Sequence, residues 1–542
     1  MPPQTFAILN GGSGSMDWSV MPEETWLSVS PASGSTDASS STVSLVTVSV
    51  NQANMGPGQY ASKIRVTSTS ANNTPQFISV VLIVLPAGSD PGPIVLPSGL
   101  VFTGTAGGAQ SAAQTISVWN LRSAQQSFTA AERTLDGGSW FTVTPVLGTG
   151  SPVQAITVTV SVSSLGLSPA TRQGSLSLFF ADGSVRVVNI LYVLLAGASA
   201  TCTPTKLLPL VTSLHPQFSI PAAWPNTLAV QVIDDCGSPH VSGTVTASFS
   251  NGDPSVPLVS LKNGAWMATW QVRNAGSPAM AVTLNADNPA LKISGAVSVS
   301  GMLQTWAAIP ILAAGGILNA GSYAPSAPLS PGAMISIFGW NLASGTASAT
   351  QFPLPYQLSG SRVTIGGVQA PLLFSGSGQI NAIIPYGLPV NTNVQVIVEQ
   401  EYTAGSPEPI VLAAASPAIF TQLATGSGQG VIIRYSTGTY AQPGSPAQAG
   451  DEIVIYAGGL GATTPAATTG QAVTGSPLLE VPGVTLTIGG QSARVDYAGL
   501  VAGYSGLYQI NAAVPAGLHG DALPVVLTVA GQSSPPVTMA VQ

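Results

Sequence analysis

Apolar and polar residues alternate along most of this chain. The segments TVSVN (47–51), TLAVQVID (227–234) and GTVTASFS (243–250) show the pattern clearly. Successive side chains of a strand point to opposite faces of a sheet, so a period of two predicts half-buried strands. Glycine and proline separate these segments, and apolar residues almost never recur at helical spacing. The pattern predicts an all-β protein with many strands joined by tight turns.

Two apolar runs are continuous, FISVVLIVL (77–85) and VVNILYVLLAGA (187–198). Both are shorter than the roughly 20 residues that a membrane-spanning helix needs, so we interpret them as buried strands. Charged residues make up only 6% of the 542 residues, and the net charge is -7. Because no basic stripe is present, we expect no nucleic-acid partner.

The N-terminal third of the chain is duplicated. QTFAILN (4–10) matches QTISVWN (114–120), and WLSVSP (26–31) matches WFTVTP (140–145). The spacing between matched segments stays nearly constant. Both copies should therefore have the same strand order.

A second duplication covers the C-terminal part. VTIGG (363–367) matches LTIGG (486–490), and QINAIIPYGLP (379–389) matches QINAAVPAGLH (509–519). The segment between the two duplications has alternating strands of its own but neither repeat pattern. Two copies at each end and one middle segment give five units.

Units of about 100 residues have the size of an immunoglobulin-like sandwich. We predict five tandem immunoglobulin-like β-sandwich domains, joined by short proline-bearing linkers into an extended rod. The predicted domains are the first and second N-terminal repeats, the middle segment, and the first and second C-terminal repeats, at 1–86, 94–196, 199–303, 309–415 and 416–542.

Several motifs resemble known families. The C-terminal repeats contain GGILNAGSYAPSAPLSPGAMISIFGWNLA, SPAIF, GDEIVIYAGGLG and SGLYQINAAVPAG, and they resemble the tandem IPT/TIG-type module of large secreted acidobacterial proteins. The N-terminal repeats resemble BACON-type domains through WLSVSP and GPGQYASKIRVTS. The middle segment resembles a bacterial immunoglobulin-like domain through VIDDCGSP and SFSNGD. These resemblances imply an exported, multidomain, non-catalytic protein.

The first N-terminal repeat lacks a strand that the second repeat has. IVLPSGLVFTGTAGGAQSAA (94–113) precedes QTIS, whereas only Met1-Pro2-Pro3 precedes QTFA. Three interpretations are open: the true start lies upstream of Met1, the first sandwich has an open edge, or the sandwich tolerates the loss of this strand. An open edge invites a strand from another chain, so self-association is one partner prediction. The start also lacks the regions of a signal peptide.

Cys202 and Cys236 are the two cysteines of the chain. We predict that they form a disulfide in an exported protein, and two unrelated thiols are the alternative. His215, His240 and His519 lie far apart in sequence, and no CxxC motif occurs, so we expect no metal site. The chain also lacks GxSxG, HExxH, Walker and GxGxxG motifs. We therefore predict no catalytic residues and no cofactor.

Two features are candidates for a contact site. Trp340 follows a strand and a glycine in FGWNLAS, and its counterpart in the second copy is Gly458, so the shared fold does not require a ring there. The motif QINA occurs twice and places two amides on one strand face. We predict a structural role for these amides, which would tie loops to the sandwich, and a ligand site is the alternative. The amides are Gln379 and Asn381 in the first copy and Gln509 and Asn511 in the second.

The sequence favours a non-catalytic extracellular or cell-surface scaffold with a structural or adhesive role, which self-assembles in one version of the hypothesis. The alternatives are an array of carbohydrate-binding modules and the accessory region of a larger secreted enzyme. A surface polysaccharide is accordingly the second partner that we expect.

Overall fold

The computed structural model describes residues 2–121, 125–150, 154–197, 202–274, 278–304, 309–401 and 403–542. Met1 and the predicted boundary at residue 199 lie outside these residues. Every regular element of the described chain is a β-strand, and none of its residues is helical. The prediction of an all-β protein is confirmed. Among the described residues, no helix is long and apolar enough to span a membrane.

The chain divides into two compact units. The first unit contains Met1–Asp17, Glu24–Gly58 and Ile83–Ala307. The second contains Trp18–Glu23, Gln59–Leu82 and Ala308–Gln542. The first N-terminal repeat is therefore shared between the two units, although its sequence predicts one domain.

The first N-terminal repeat supplies seven strands, β1 to β7. In chain order they are Gln4–Ile8, Ser15–Pro22, Leu27–Ser30, Ser33–Asp37, Ser44–Val50, Gly58–Thr67 and Gln76–Val84. In the first unit, β5 lies between β1 and β3. In the second unit, β6 lies between β2 and β7.

The second N-terminal repeat supplies strands β8 to β16. They are Ile94–Leu96, Gly99–Thr105, Gln114–Trp119, Gln126–Thr134, Phe141–Thr144, Leu147–Gly150, Ile156–Val162, Ala170–Phe180 and Val185–Leu195. They form two sheets, in the orders β12-β14-β10-β8 and β13-β11-β15-β16-β9. Alternating side chains such as Val158 and Val160 fill the core between the sheets.

The two N-terminal copies differ at their sheet edges. In the second copy β10 pairs with β8, and β16 pairs in parallel with β9. Their counterparts in the first copy are β1 and β7. Among the named strands of the described chain, β1 pairs only with β5, and β7 pairs only with β6. The difference falls on the strands that the sequence comparison found without a counterpart.

The middle segment supplies strands β17 to β24. They are Leu207–Val211, Phe218–Pro221, Pro225–Asp234, Thr244–Phe249, Val256–Ser260, Ala265–Gln271, Ala279–Asn288 and Ile293–Gln304. Their order is β17-β19-β22-β21-β20-β23-β24-β18. Trp266 and Trp270 are buried in the core that these strands enclose, and Trp270 stacks on Phe249 with ring centroids 4.5 Å apart.

The first C-terminal repeat supplies strands β25 to β34. They are Ile311–Asn319, Met334–Trp340, Ala347–Ser348, Ser361–Ile365, Val368–Ala370, Leu372–Ser375, Gln379–Ile383, Thr392–Gln400, Thr403–Ala404 and Glu408–Leu412. One sheet has the order β25-β26-β31-β30-β27. The other has the order β29-β28-β32-β33, with β34 also paired to β32.

The second C-terminal repeat supplies strands β35 to β43. They are Ala418–Ile419, Ile432–Arg434, Glu452–Gly458, Thr485–Ile488, Gln491–Leu500, Tyr508–Ala513, Gly520–Val529, Gln532–Ser533 and Val537–Val541. The order is β35-β37-β40-β39-β38-β41-β42, with β36 on β37 and β43 on β41. The two C-terminal repeats have separate hydrophobic cores.

Within the second unit, β6 and β7 contact the first C-terminal repeat. The Phe77 N–H donates to Gln395 Oε1 (2.6 Å), and Ser79 Oγ donates to the Gly405 carbonyl (2.8 Å). Lys63 Nζ forms an ion pair with Glu399 Oε1 at 2.5 Å. These contacts join residues more than 300 positions apart in sequence, and the order of the repeats along the chain does not predict them.

Candidate functional site

The outer face of β26 and β31 holds both features that the sequence singled out. Ile335 and Ile337 of β26 point into the core, so Ser336, Phe338 and Trp340 lie on the opposite face. Phe338 is the cross-strand partner of Gln379, and Ser336 is the partner of Asn381. Partners in register share a face, so the rings and the amides lie side by side.

Trp340 is 46% exposed, and it is the only tryptophan in the described part of the chain that is so open. Phe338, two residues earlier on the same face, is half-buried and packs near Tyr323, with ring centroids 6.4 Å apart. We call the surface formed by Tyr323, Phe338, Trp340, Gln379 and Asn381 the aromatic–amide face.

The two QINA motifs have the same local geometry. Gln379 Nε2 donates to Asn381 Oδ1 at 2.7 Å, and Gln509 Nε2 donates to Asn511 Oδ1 at 2.8 Å. These hydrogen bonds join the two amides of one strand to each other, and the role of the amides in tying loops to the sandwich stays a prediction. Residues i and i+2 of a strand lie on one face, which brings the amides within reach.

A tyrosine pair, of which Tyr508 is buried and Tyr386 is half-buried, joins the two C-terminal repeats. The Tyr386 and Tyr508 hydroxyl oxygens lie 3.0 Å apart, and Tyr508 Oη donates to the Gly461 carbonyl at 2.6 Å. A hydroxyl has one proton, so Tyr386 must donate to Tyr508. Burial raises the pKa of Tyr386 and raises that of Tyr508 well above the usual value. Both phenols are therefore neutral donors at physiological pH.

Other bonds surround this tyrosine pair. The Tyr386 N–H donates to Thr469 Oγ1 (2.9 Å), and Ser330 Oγ donates to the Gly459 carbonyl (3.0 Å). Gly332 has a φ of 78°, and a Cβ there would lie 2.3 Å from the Tyr386 ring. Only glycine fits this position, because the backbone is left-handed and the ring packs directly against it.

Sequence reasoning missed the tyrosine pair, although both residues flank a QINA motif. The copy of Tyr386 is Ala516, and the copy of Tyr508 is Gly378. An aromatic residue that occurs in only one of two copies is the same kind of difference that identified Trp340. That comparison, applied to the motif's flanks, would have found both tyrosines.

Cys202 and Cys236 form a disulfide in the first unit, with Cα atoms 5.7 Å apart. The adjacent turn is held by carboxylates. Asp235 Oδ1 accepts the Thr205 N–H at 2.8 Å, and Asp234 Oδ1 accepts the Cys236 N–H at 2.9 Å. Burial opposes ionisation of Asp235, but hydrogen bonds from the Thr205 hydroxyl and from backbone N–H groups outweigh it and lower the pKa of Asp235.

No metal cluster occurs among the described residues, and two cavities of the described chain are small. No group of three or more His, Cys, Asp or Glu residues in the described ranges could hold a metal ion. One cavity beside Asn189 and Gln217 measures about 190 Å³, and another beside Tyr386 and Ser505 measures about 140 Å³. Ligand pockets usually measure about 300 to 1,000 Å³. Neither of these two cavities reaches that size, whereas the aromatic–amide face is open to solvent at Trp340.

Two family models match the chain. The one described as "Viral BACON domain" matches residues 3–81 and 96–188, and the one described as "IPT/TIG domain" matches residues 321–410. The chain contains BACON-type domains and an IPT/TIG domain. Both kinds of domain are typically non-catalytic, and together with the disulfide they fit an extracellular scaffold.

Solved structures show only distant similarity to this protein. The periplasmic chaperone SfaE is 13% identical over 39% of this chain and 100% of its own, with a TM-score of 0.19. SGBP-B of the Bacteroides ovatus mixed-linkage glucan utilization locus, solved with a mixed-linkage heptasaccharide, is 13% identical over 64% of this chain and 69% of its own, with a TM-score of 0.26. Protocadherin Gamma B2 is 12% identical over 97% and 93%, with a TM-score of 0.15. We draw nothing about function from TM-scores this low. No curated protein matches the chain.

Proposed function

We propose that the protein is a non-catalytic, extracellular adhesive scaffold whose C-terminal repeats act as one stiff piece. The observation that carries this proposal is the hydrogen-bonded chain that runs from the half-buried Tyr386 through the buried Tyr508 to Gly461. It fixes the IPT/TIG domain to the repeat that follows it. A scaffold that presents a binding surface needs this property, because domains on flexible linkers reorient freely.

The contacts around the tyrosine pair support stiffness for a physical reason. Tyr508 is fully buried, so swinging the repeats apart would expose its hydroxyl partners and the apolar rings together. The hydrogen bond from Ser330 Oγ to the Gly459 carbonyl is also buried. In addition, Asn319 Nδ2 donates to the Ser416 carbonyl at 2.8 Å. Relative motion must break several of these bonds at once.

The extracellular part of the proposal is supported by the disulfide and by the domain types. Disulfides persist in oxidising compartments and are rare in the cytosol. A disulfide in the middle segment would therefore suit a chain that works outside the cell.

The proposal can be tested by measuring distances between spin labels on the full chain. Its two cysteines are paired with each other, so introduced cysteines are the only free thiols. Val368→Cys and Tyr435→Cys place labels at exposed positions of the two C-terminal repeats. We expect one narrow distance distribution, and Tyr508→Phe should broaden it. A broad distribution in the otherwise unaltered chain would overturn the proposal.

A further inference from the structure

The aromatic–amide face combines an exposed apolar ring with free hydrogen-bonding groups. Gln379 Nε2 is committed to Asn381 Oδ1. The Gln379 carbonyl oxygen and the Asn381 amide nitrogen make no hydrogen bond within the described chain, and neither is a buried atom. An amide offers both a donor and an acceptor. The pair thus leaves one acceptor and one donor free, and the hydrogen bond between the two amides restrains their spacing.

Trp340 continues the same surface. It is two residues from Phe338, the cross-strand partner of Gln379, so the indole lies diagonally beside the amides. Because Trp340 is exposed, part of the indole is open to solvent.

No residue of the aromatic–amide face is charged. A face without charge does not select a nucleic acid, an anionic polymer or a charged peptide by electrostatics. A flat ring beside a donor and an acceptor matches a sugar ring, whose C–H face is apolar and whose rim carries hydroxyls. The C–H groups meet the electron-rich face of the indole, and the hydroxyls both donate and accept.

The second C-terminal repeat has the same amide pair but no counterpart of the Trp340 ring. Tyr456 is the cross-strand partner of Gln509 there, and the ladder from Gln509 to Asn511 is retained. Gly458 stands in place of Trp340, and a ring carbon of Phe420 lies 3.5 Å from the position that a Cβ of Gly458 would take. The amide ladder is common to both repeats, whereas the open ring belongs to one.

We infer that the aromatic–amide face binds a neutral polysaccharide, with Trp340 stacking on a sugar ring and with Gln379 and Asn381 bonding its hydroxyls. This inference rests on the adhesive part of the proposed function and names its ligand class. It does not require the C-terminal repeats to be stiff.

Affinity electrophoresis of the full chain tests the inference, with hydroxyethylcellulose, arabinoxylan and galactomannan as neutral probes and polygalacturonate as a charged one. We expect retardation by at least one neutral polymer and none by polygalacturonate. Trp340→Ala should weaken binding roughly tenfold or more, as for the loss of a central aromatic anchor. Trp340→Phe should retain part of the affinity, and Gln379→Ala should also weaken binding.

Gln509→Ala is the matched control, because it breaks the same ladder in the copy without the ring and should leave affinity unchanged. Absence of retardation in all three neutral polymers would overturn the inference, and so would native affinity in Trp340→Ala or an equal loss in Gln509→Ala. A change in solution mass of Trp340→Ala without a change in binding would show a second copy as the occupant, which also overturns it. The spin-label distances separate the two proposals, since Trp340→Ala should keep them narrow.

Discussion

At the scale of residues, the tyrosine pair is the clearest case of chemistry that depends on burial. Tyr508 donates to the Gly461 carbonyl and accepts from Tyr386, so its hydroxyl is fully used. Tyr386 has only the bond to Tyr508 at its hydroxyl. Removing one hydroxyl therefore has a different consequence from removing the other.

Tyr508→Phe should destabilise the C-terminal repeats more than Tyr386→Phe. The first change leaves both the Gly461 carbonyl and the Tyr386 hydroxyl without partners, at a cost of about 1–3 kcal/mol, while the second removes one bond worth about 0.5–1.5 kcal/mol. Scanning calorimetry of the full chain measures the difference. Equal shifts of the transition in both variants would contradict the assigned donor order.

The same tyrosine pair determines how the stability of the protein changes at alkaline pH. Burial raises the pKa of both tyrosines above the unfolded value of about 10. Above that pH the unfolded chain loses these protons first, so stability falls as pH rises. Below pH 10 the contribution is fully present. Above about pH 10, the temperature of the calorimetric transition should depend less on pH in the Tyr386→Phe, Tyr508→Phe double variant than in the unaltered chain.

At the scale of elements, the alternation of apolar and polar residues was enough to predict strands. β14 and β23 are examples in which every second side chain is buried, because a local period of two decides which face each residue occupies. Repeat matching likewise reached the QINA ladder and the ring at Trp340. It could not reach the contact of Phe77 with Gln395, since no local pattern records which strands meet over such sequence separations.

The disulfide tethers the residues before β17 to the turn after β19. These strands are paired, with Leu207 opposite Asp234, and the disulfide closes a loop with a sequence separation of 34. Replacing Cys202 and Cys236 by serine should lower the free energy of unfolding of the middle segment by about 3–4 kcal/mol. Thermal unfolding with and without reductant measures this. Reductant should leave the serine variant unchanged, and an unaltered transition in the reduced native chain would contradict the prediction.

At the scale of the whole molecule, composition and domain type both fit the same class of protein, an extracellular scaffold. The chain has BACON-type and IPT/TIG domains, and it also has a low charge, an all-β architecture and a disulfide. The sequence could indicate this class because repeats and composition are properties of the entire chain. It could not give the joint between the C-terminal repeats, because Tyr386 and Tyr508 occur in one copy each and meet only after folding.

The central claim is that the chain is an extracellular scaffold. Locating the chain inside or outside intact cells tests this claim most directly. Intact cells of the organism that encodes it would be treated with an impermeant protease, and the released peptides would be identified by mass spectrometry beside a cytosolic marker. The account predicts release of peptides from this chain, with Cys202 and Cys236 oxidised, while the marker stays inside. Recovery of the chain only after lysis, with both cysteines reduced, would contradict an extracellular scaffold.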